Sequence, residues 1–254
     1  MTLQNTQTSD SNASHRIDPA QNGSERRTFM KTALTAFGAL AGLGLVGETT
    51  PTAQAVFPRL RYNADIPGTG DIKVLNYALA LEDLEASLYN HALKRLTAGG
   101  IDSLSRPITG LGLDYSEPDV AYIRTFRQVE HEHRNFIRAT VTSAGGPVIP
   151  GFQYDFGIQS MTRQQVLELV YTAEKTGVSA YLGAISLFQT KSYLQIAGAI
   201  QGTEARHTAV IAGVLNALFD TNLPVAPSAG TDNGIDQPLT PAQVLTAISP
   251  FIVV

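Results

Sequence analysis

The amino-acid sequence predicts an all-α fold, a bundle of four long helices with a long crossover between the second and the third. First, four segments of about 28 residues each place apolar residues at helical spacing, and such lengths are typical of a bundle. Second, the alternation found in strands is sparse. Third, a very short turn joins the last two segments, whereas a link of about 15 to 20 residues separates the middle two and can cross the bundle.

Composition limits the function classes open to the chain. Of its 254 residues, 43% are apolar and 16% are charged, which supplies a sizeable core and argues against disorder. Cysteine and tryptophan are absent, and the lack of cysteine excludes disulfide frameworks, cysteine zinc sites, iron–sulfur clusters and thiol nucleophiles. The formal net charge is −4 without a long basic run, so nucleic acid is not an expected partner. The remaining chemistry is that of oxygen and imidazole groups.

Residues 1–55 have the order of an export signal. A polar stretch leads to Glu25-Arg26-Arg27-Thr28-Phe29-Met30-Lys31, then to an apolar run from Ala33 to Val46 and to Ala53-Gln54-Ala55. Positive residues, a short apolar run and small residues at a cleavage point are the parts of a signal peptide, and this run is too short for a stable membrane anchor. The alternative is a buried N-terminal helix behind a disordered tail.

The pair Arg26-Arg27, followed by Phe29 and Lys31, resembles a twin-arginine signal, which implies export in the folded state. We therefore expect cleavage after Ala55, a single mature domain at 56–254, and a periplasmic or extracellular location. Contact with the membrane would then be transient, during export.

Capping residues predict the ends of the four helices. Asp71 can cap the first helix, which Gly99-Gly100 stops. Ser116-Glu117-Pro118-Asp119 resembles a capping box at the start of the second, and Thr162 with Gln165 opens the third. The expected spans are about 71–98, 116–145, 162–188 and 192–219.

Two further segments lie outside the four helices. The long link contains the strand-like alternation Phe152-Gln153-Tyr154-Asp155-Phe156. The tail after Asp220 is rich in proline, aspartate and glycine, and Thr240-Pro241 opens a short C-terminal helix. We expect this last helix to pack on the outside of the bundle.

Acidic residues and histidines occupy positions where the helical stripes should be apolar. A carboxylate in a dry core costs on the order of several kcal/mol unless it is paired or binds a metal. A single buried acid of this kind would be unusual. Because all four helices carry one, the four buried acids call for a common explanation. The residues are Glu82 and Glu85 in the first helix, Glu130 and His133 in the second, Glu174 in the third, and Glu204 and His207 in the fourth.

Their spacing indicates a shared metal site. Residues i and i+3 project from one helix face, so each Glu-x-x-His pair can offer an oxygen and a nitrogen to one metal cluster. Random placement would give about 0.2 such pairs, and two are found, both in mid-helix. The first and third helices instead carry a glutamate with a tyrosine seven residues later, so the two halves repeat one scheme. The residues of this repeat are Glu82 with Tyr89, Glu130 with His133, Glu174 with Tyr181, and Glu204 with His207.

The sequence leaves several alternatives open. The polar residues could form a buried hydrogen-bonded network without metal, although four carboxylates against two imidazoles leave negative charge uncompensated. Glu85 competes with Glu82 as the ligand of the first helix; the seven-residue offset to Tyr89 favours Glu82. Tyr89 and Tyr181 are either core aromatics or hydrogen-bond donors to ligands.

Three other polar residues fall off the stripes and are expected outside the site. His131 and Glu132 lie on a different face of the second helix and are expected in solvent. His91 is expected on the outer surface of the first helix.

With this pattern the chain resembles the ferritin-like family, which includes rubrerythrins, bacterioferritins, manganese catalases and desiccation-related proteins. The resemblance covers about 71–219, and Leu81-Glu82-Asp83-Leu84-Glu85 is most similar to exported stress proteins of this fold. It departs from rubrerythrins in having no rubredoxin module, because cysteine is absent. By resemblance, a dinuclear site would be held by Glu82, Glu130, His133, Glu174, Glu204 and His207.

The resemblance also implies a function. Carboxylates with two imidazoles suit two iron or two manganese ions, and such a pair implies ferroxidase- or catalase-like redox chemistry with peroxide or dioxygen in stress protection. The alternatives are a non-enzymatic metal-binding stress protein, or a helical interaction module with a structural metal. We expect a monomer or a homodimer.

Overall fold

The computed structural model describes residues 60–253, so the predicted signal at 1–55 lies outside the described residues. This part of the chain is predominantly helical, which confirms the predicted all-α bundle. Its helices are α1 (Tyr62–Asp65), α2 (Gly70–Leu96), α3 (Pro118–Ser143), α4 (Arg163–Ile185), α5 (Lys191–Phe219) and α6 (Pro241–Ile248). Its short strands are β1 (Gly99–Ile101), β2 (Pro107–Thr109), β3 (Gln153–Tyr154) and β4 (Ile252–Val253).

Helices α2 to α5 form the bundle. Helix α2 packs against α3 and α4, and α4 packs against α5. Of the 27 residues of α2, 17 are buried, whereas α3 buries only six residues along one stripe. Helix α2 is therefore the centre of the fold, with buried residues on most of its faces because it has neighbours on most sides.

The long crossover between α3 and α4 runs along α2. Near the start of α2, Asn76 donates its side-chain amide to the Pro147 carbonyl oxygen and accepts from the Ile149 backbone N–H. Near the end of α2, Arg95 donates to the Met161 carbonyl oxygen, 2.8 Å away. The crossover thus spans nearly the whole length of α2, as the length of the link predicted.

Two of the predicted helix starts are confirmed and two are corrected. Thr162 and Thr240 each form a capping box with the glutamine three residues later. Asp71 does not cap α2; it accepts from the backbone N–H groups of Gln189 and Thr190 and so fixes the turn between α4 and α5. The box expected at Ser116–Asp119 is also absent: the N-cap residue of α3, Glu117, makes no side-chain cap bond, and Asp119 instead pairs with Arg163.

Two short two-stranded sheets lie outside the helices, and helical periodicity does not predict which strands pair. Beyond α2, Gly99 and Gly100 adopt positive φ and start the β1–β2 hairpin. Gly110 must be glycine because a Cβ there would lie 2.0 Å from the Thr97 carbonyl oxygen. In the crossover, only the two residues of β3 form a strand, and they pair with β4 near the end of the chain.

The C-terminal segment binds the outside of the bundle, as predicted. Helix α6 buries four apolar side chains, among them Val244 and Ile248, and contacts α4. The Leu239 N–H donates to the Ser179 carbonyl oxygen, and a Cβ on Gly183 would lie 1.9 Å from the Leu239 carbonyl oxygen. Within residues 60–253, no helix is long and apolar enough to cross a membrane.

Candidate metal centre

Each long helix brings one glutamate to the middle of the bundle. The four residues lie close to the midpoints of α2, α3, α4 and α5, so the helices present them at one height. All four are fully buried. They are Glu82, Glu130, Glu174 and Glu204.

The structure brings all six predicted ligands together in two overlapping groups. Within each group, one donor atom from every residue lies within 4.8 Å of the others. The groups share two acids, one from each Glu-x-x-His helix, and differ in the third acid and the histidine. The first group is Glu82, Glu130, His133 and Glu204, and the second is Glu130, Glu174, Glu204 and His207.

The imidazole nitrogens face the shared acids directly. His133 Nδ1 lies 3.2 Å from Glu130 Oε2 and 3.3 Å from Glu204 Oε1. His207 Nδ1 lies 2.8 Å from Glu130 Oε1. Because Glu130 presents one oxygen to each histidine, it stands between the two groups, as a bridging carboxylate does.

Two tyrosines orient the unshared acids from the opposite half of the chain. Tyr89 of α2 donates its hydroxyl hydrogen to Glu174 Oε1 of α4, and Tyr181 of α4 donates to Glu82 Oε1 of α2. The structure therefore answers the question left open by the sequence, since both tyrosines are hydrogen-bond donors to candidate ligands. The bond to Glu82 leaves its Oε2 facing His133, 3.5 Å away, whereas in Glu174 the bonded Oε1 itself lies 3.4 Å from His207 Nδ1.

Glu85 is buried beside the cluster but belongs to neither donor group. It is 3% exposed, and its Oε2 has no hydrogen-bond partner. Gly177 of α4 makes room for it, because a Cβ there would lie 2.9 Å from Glu85 Oε1. Geometry thus favours Glu82 over Glu85 as the donor from α2.

The unpartnered atoms of the cluster test whether a metal fits. Across residues 60–253, eight buried side-chain nitrogen or oxygen atoms make no aligned hydrogen bond, and seven of them belong to this cluster or to the adjacent Glu85, although some contact an imidazole as an ion pair. A self-sufficient polar network would pair these atoms, since each unpaired buried group costs about 1–3 kcal/mol. The cluster has more carboxylate oxygens than hydrogen-bond donors to satisfy them, and a bound cation would satisfy the remaining oxygens. The atoms are Glu82 Oε2, Glu85 Oε2, Glu130 Oε1, Glu174 Oε2, both Glu204 oxygens and His207 Nδ1.

The electrostatics of the cluster agree with this fit. Burial raises the pKa of Glu82 to about 7, although contact with His133 opposes the shift. Burial and neighbouring acids raise the pKa of Glu85 and of Glu204 well above the ordinary value. Burial lowers the pKa of His207, but Glu130 and Glu174 outweigh it and raise that pKa to about 10. Negative charge is thus destabilised on the acids and positive charge is favoured on the imidazole, and a bound cation would offset the repulsion between the acids.

Three polar residues lie away from the cluster. Glu132 is exposed, as predicted, and His131 is half-buried beside Asn90, 3.0 Å from its amide nitrogen. The expectation for His91 was wrong. It is 3% exposed, and its Nε2 accepts from the Ser103 N–H. His91 lies three residues after the buried Leu88, a spacing that indicates the inner face.

One contact of the site was missed by sequence reasoning. The ring of Phe126 on α3 stacks on His207 of α5, with centroids 3.9 Å apart and planes 23° apart. Phe126 lies on the apolar stripe of its helix, and nothing in the spacing shows that it meets a histidine of another helix.

The fold and the site define a helical-bundle protein with a buried carboxylate–imidazole cluster that could bind metal. The chain matches the family of ferritin-like domains over residues 70–217 and belongs to that family. No curated protein matches the chain. The matched range contains all four bundle helices except the last two residues of α5, and it contains every residue of the cluster.

Proposed function

We propose that the chain holds two iron or manganese ions and carries out redox chemistry with peroxide or dioxygen. The observation that supports this most directly is the pair of donor groups sharing Glu130 and Glu204. One ion would be held with Glu82 and His133, and the other with Glu174 and His207. Two carboxylates common to both groups would offset the repulsion between two cations.

Oxygen and imidazole donors favour iron or manganese over ions that prefer thiolates. The ion pair would supply two electrons and open coordination positions to peroxide or dioxygen. The chain's own residues hold and orient the donors: the Tyr89 and Tyr181 hydroxyls fix the two unshared acids. Five of the six donors are at most 4% exposed, so the surrounding side chains also keep bulk water away.

Export completes the proposed function. Arg26-Arg27 followed by a short apolar run and Ala53-Gln54-Ala55 supports twin-arginine export and a periplasmic or extracellular location. Export in the folded state suits a protein that must acquire its metal inside the cell. Removal of peroxide outside the cytoplasm would then serve in protection against oxidative stress.

Elemental analysis of untreated protein, with optical spectra before and after peroxide, tests the proposal. The expected result is about two iron or manganese ions per chain and a spectrum that changes with peroxide. Less than one ion per chain contradicts the proposal, as does full metal retention in a Glu130→Ala, Glu204→Ala double variant.

A second candidate is metal binding without turnover. It is favoured by the deep burial of five donors, which leaves little room for a substrate beside the ions. Oxygen evolution from peroxide by protein purified with its native metal separates the candidates: turnover supports the redox function, and its absence at full metal content supports metal binding alone.

A further inference from the structure

The two histidines of the cluster have different surroundings. The side chain of His207 is 4% exposed and lies under the stacked ring of Phe126. The side chain of His133 is 14% exposed, and no aromatic ring stacks on it in the described part of the chain. The two groups of candidate ligands are alike, so the difference in exposure comes from the side chains that pack over each histidine.

The repeat shows which residue breaks the symmetry. The crossed Tyr89–Glu174 and Tyr181–Glu82 bonds show that each half of the chain contacts the equivalent group of the other. Phe126 lies seven residues before His133 and covers His207; the position seven residues before His207 is Ile200. By the same exchange, the aliphatic Ile200 would lie on the His133 side in the place that the aromatic Phe126 takes on the His207 side.

A surface groove lies beyond His133 along α3, and His133 itself is not among its lining residues. The groove has a volume of about 400 Å³ and lies between α3 and α5. Its nearest wall residue on α3, Phe136, follows His133 by three residues, so the groove begins within one helical turn of that ligand and extends away from Phe126. The lining residues are Phe136, Ala139, Thr140, Ser143, Ala144 and Tyr193.

Given the dinuclear centre proposed above, we infer that its two ions are not equivalent, and that Phe126 seals the ion held by His207 while the ion held by His133 exchanges through the groove. Peroxide or dioxygen entering between α3 and α5 meets the His133 ion first. Phe126 is a positioning residue: it touches neither ion, and it acts by holding the imidazole of His207 and excluding water from it.

Metal release from the full chain tests this inference. Protein loaded with Fe²⁺ in the absence of oxygen is mixed with an excess of a coloured ferrous chelator, and the released iron is followed with time. We expect two phases of about one ion each, with rates that differ by at least about tenfold, the factor that corresponds to 1.4 kcal/mol.

Three variants assign the slow phase to Phe126. Phe126→Leu removes the ring and should bring the slow rate to within about threefold of the fast one. Phe126→Tyr keeps the ring and should keep the slow phase. Phe136→Leu is the matched control, the same change on the same helix at the groove, and should leave the slow phase unaltered. Circular dichroism confirms that each variant is folded.

The outcomes separate this inference from the proposed function. Elemental analysis of each sample reports the number of ions directly. Two ions released in a single phase, or a slow phase unchanged in folded Phe126→Leu, overturn the inference and leave the dinuclear centre standing. Less than one ion per chain overturns both.

Discussion

Tyr181 of α4 donates its hydroxyl hydrogen to Glu82 of α2, so the acid that one half of the chain presents to the cluster is oriented by a residue of the other half. The bond holds Oε1 of Glu82 and leaves Oε2 directed to His133, 3.5 Å away. A ligand held in this way loses little freedom when a cation binds.

Removing this hydroxyl should weaken metal binding more than it weakens the fold. Tyr181→Phe keeps the ring but leaves Glu82 Oε1 without its donor, and we expect metal affinity to fall about 10- to 100-fold. Competition with a chelator of known affinity measures the change. Tyr77→Phe is the control, because the buried Tyr77 hydroxyl has no hydrogen-bond partner; equal losses in the two variants would show that the Tyr181 bond is unimportant.

Glu130 and Glu174 should differ in how many ions their loss releases. Glu130 belongs to both donor groups and Glu174 to one. We therefore expect Glu130→Ala to lose both ions and Glu174→Ala to retain the one held with His133. Elemental analysis after gel filtration counts the ions. Glu85→Gln should retain both, and loss of an ion in that variant would make Glu85 a ligand.

Glu204 should destabilise the metal-free protein at neutral pH. Burial and the charge of Glu174 raise its pKa well above the ordinary value. An acid with a raised folded pKa takes up a proton on folding, so its contribution to stability decreases as pH rises through its unfolded pKa of about 4.3. Glu204→Gln removes that contribution, and we expect it to stabilise the metal-free protein by at most about 4 kcal/mol at neutral pH. Urea unfolding in chelator measures the gain, and the same variant should lose stabilisation by added metal; a metal-free protein destabilised by the change would contradict the prediction.

His91 should make the protein less stable in mild acid. Burial and then Lys94 lower its pKa from 6.5 to about 4, so the unfolded chain binds a proton between these values and the folded chain does not. Stability from this residue is complete above pH 6.5 and falls as pH drops to 4, by at most about 3 kcal/mol. The difference in urea unfolding free energy between wild type and His91→Gln, measured across this range in the metal-free state, should shrink towards acid. A difference independent of pH would show that His91 takes up its proton in the folded state as easily as in the unfolded one.

The bundle could be predicted because its signals are local. Helical spacing, the capping pair at Thr162 and Gln165, and the length of the link all lie within short stretches of sequence, and each is reproduced in the structure. Asp71 shows the limit of this reasoning: its position suggests a cap for its own helix, but its partners lie 118 and 119 residues away. A contact across the fold overrides the local preference.

The candidate site could be predicted in composition but not in arrangement. Buried acids and histidines at helical spacing indicate a shared site and leave Glu85 open against Glu82, while the set of six candidate donors follows from the family resemblance; a carboxylate in a dry core is costly unless it is paired or binds a cation. The spacing also identifies Tyr89 and Tyr181, although it does not show that each serves the acid of the other helix. Phe126 could not be assigned to His207, since the choice depends on how α3 and α5 face each other.

The crossed tyrosine bonds have a further consequence for how such a molecule could arise. An isolated hairpin made only of α2 and α3 would keep Glu82, Glu130 and His133 but lose the hydroxyl that orients Glu82. Two identical hairpins facing each other would restore both tyrosine–glutamate hydrogen bonds, and the same side chain would then cover the histidine of each hairpin. Joining the hairpins in one polypeptide allows the two copies to differ, and Phe126 and Ile200 differ in this way.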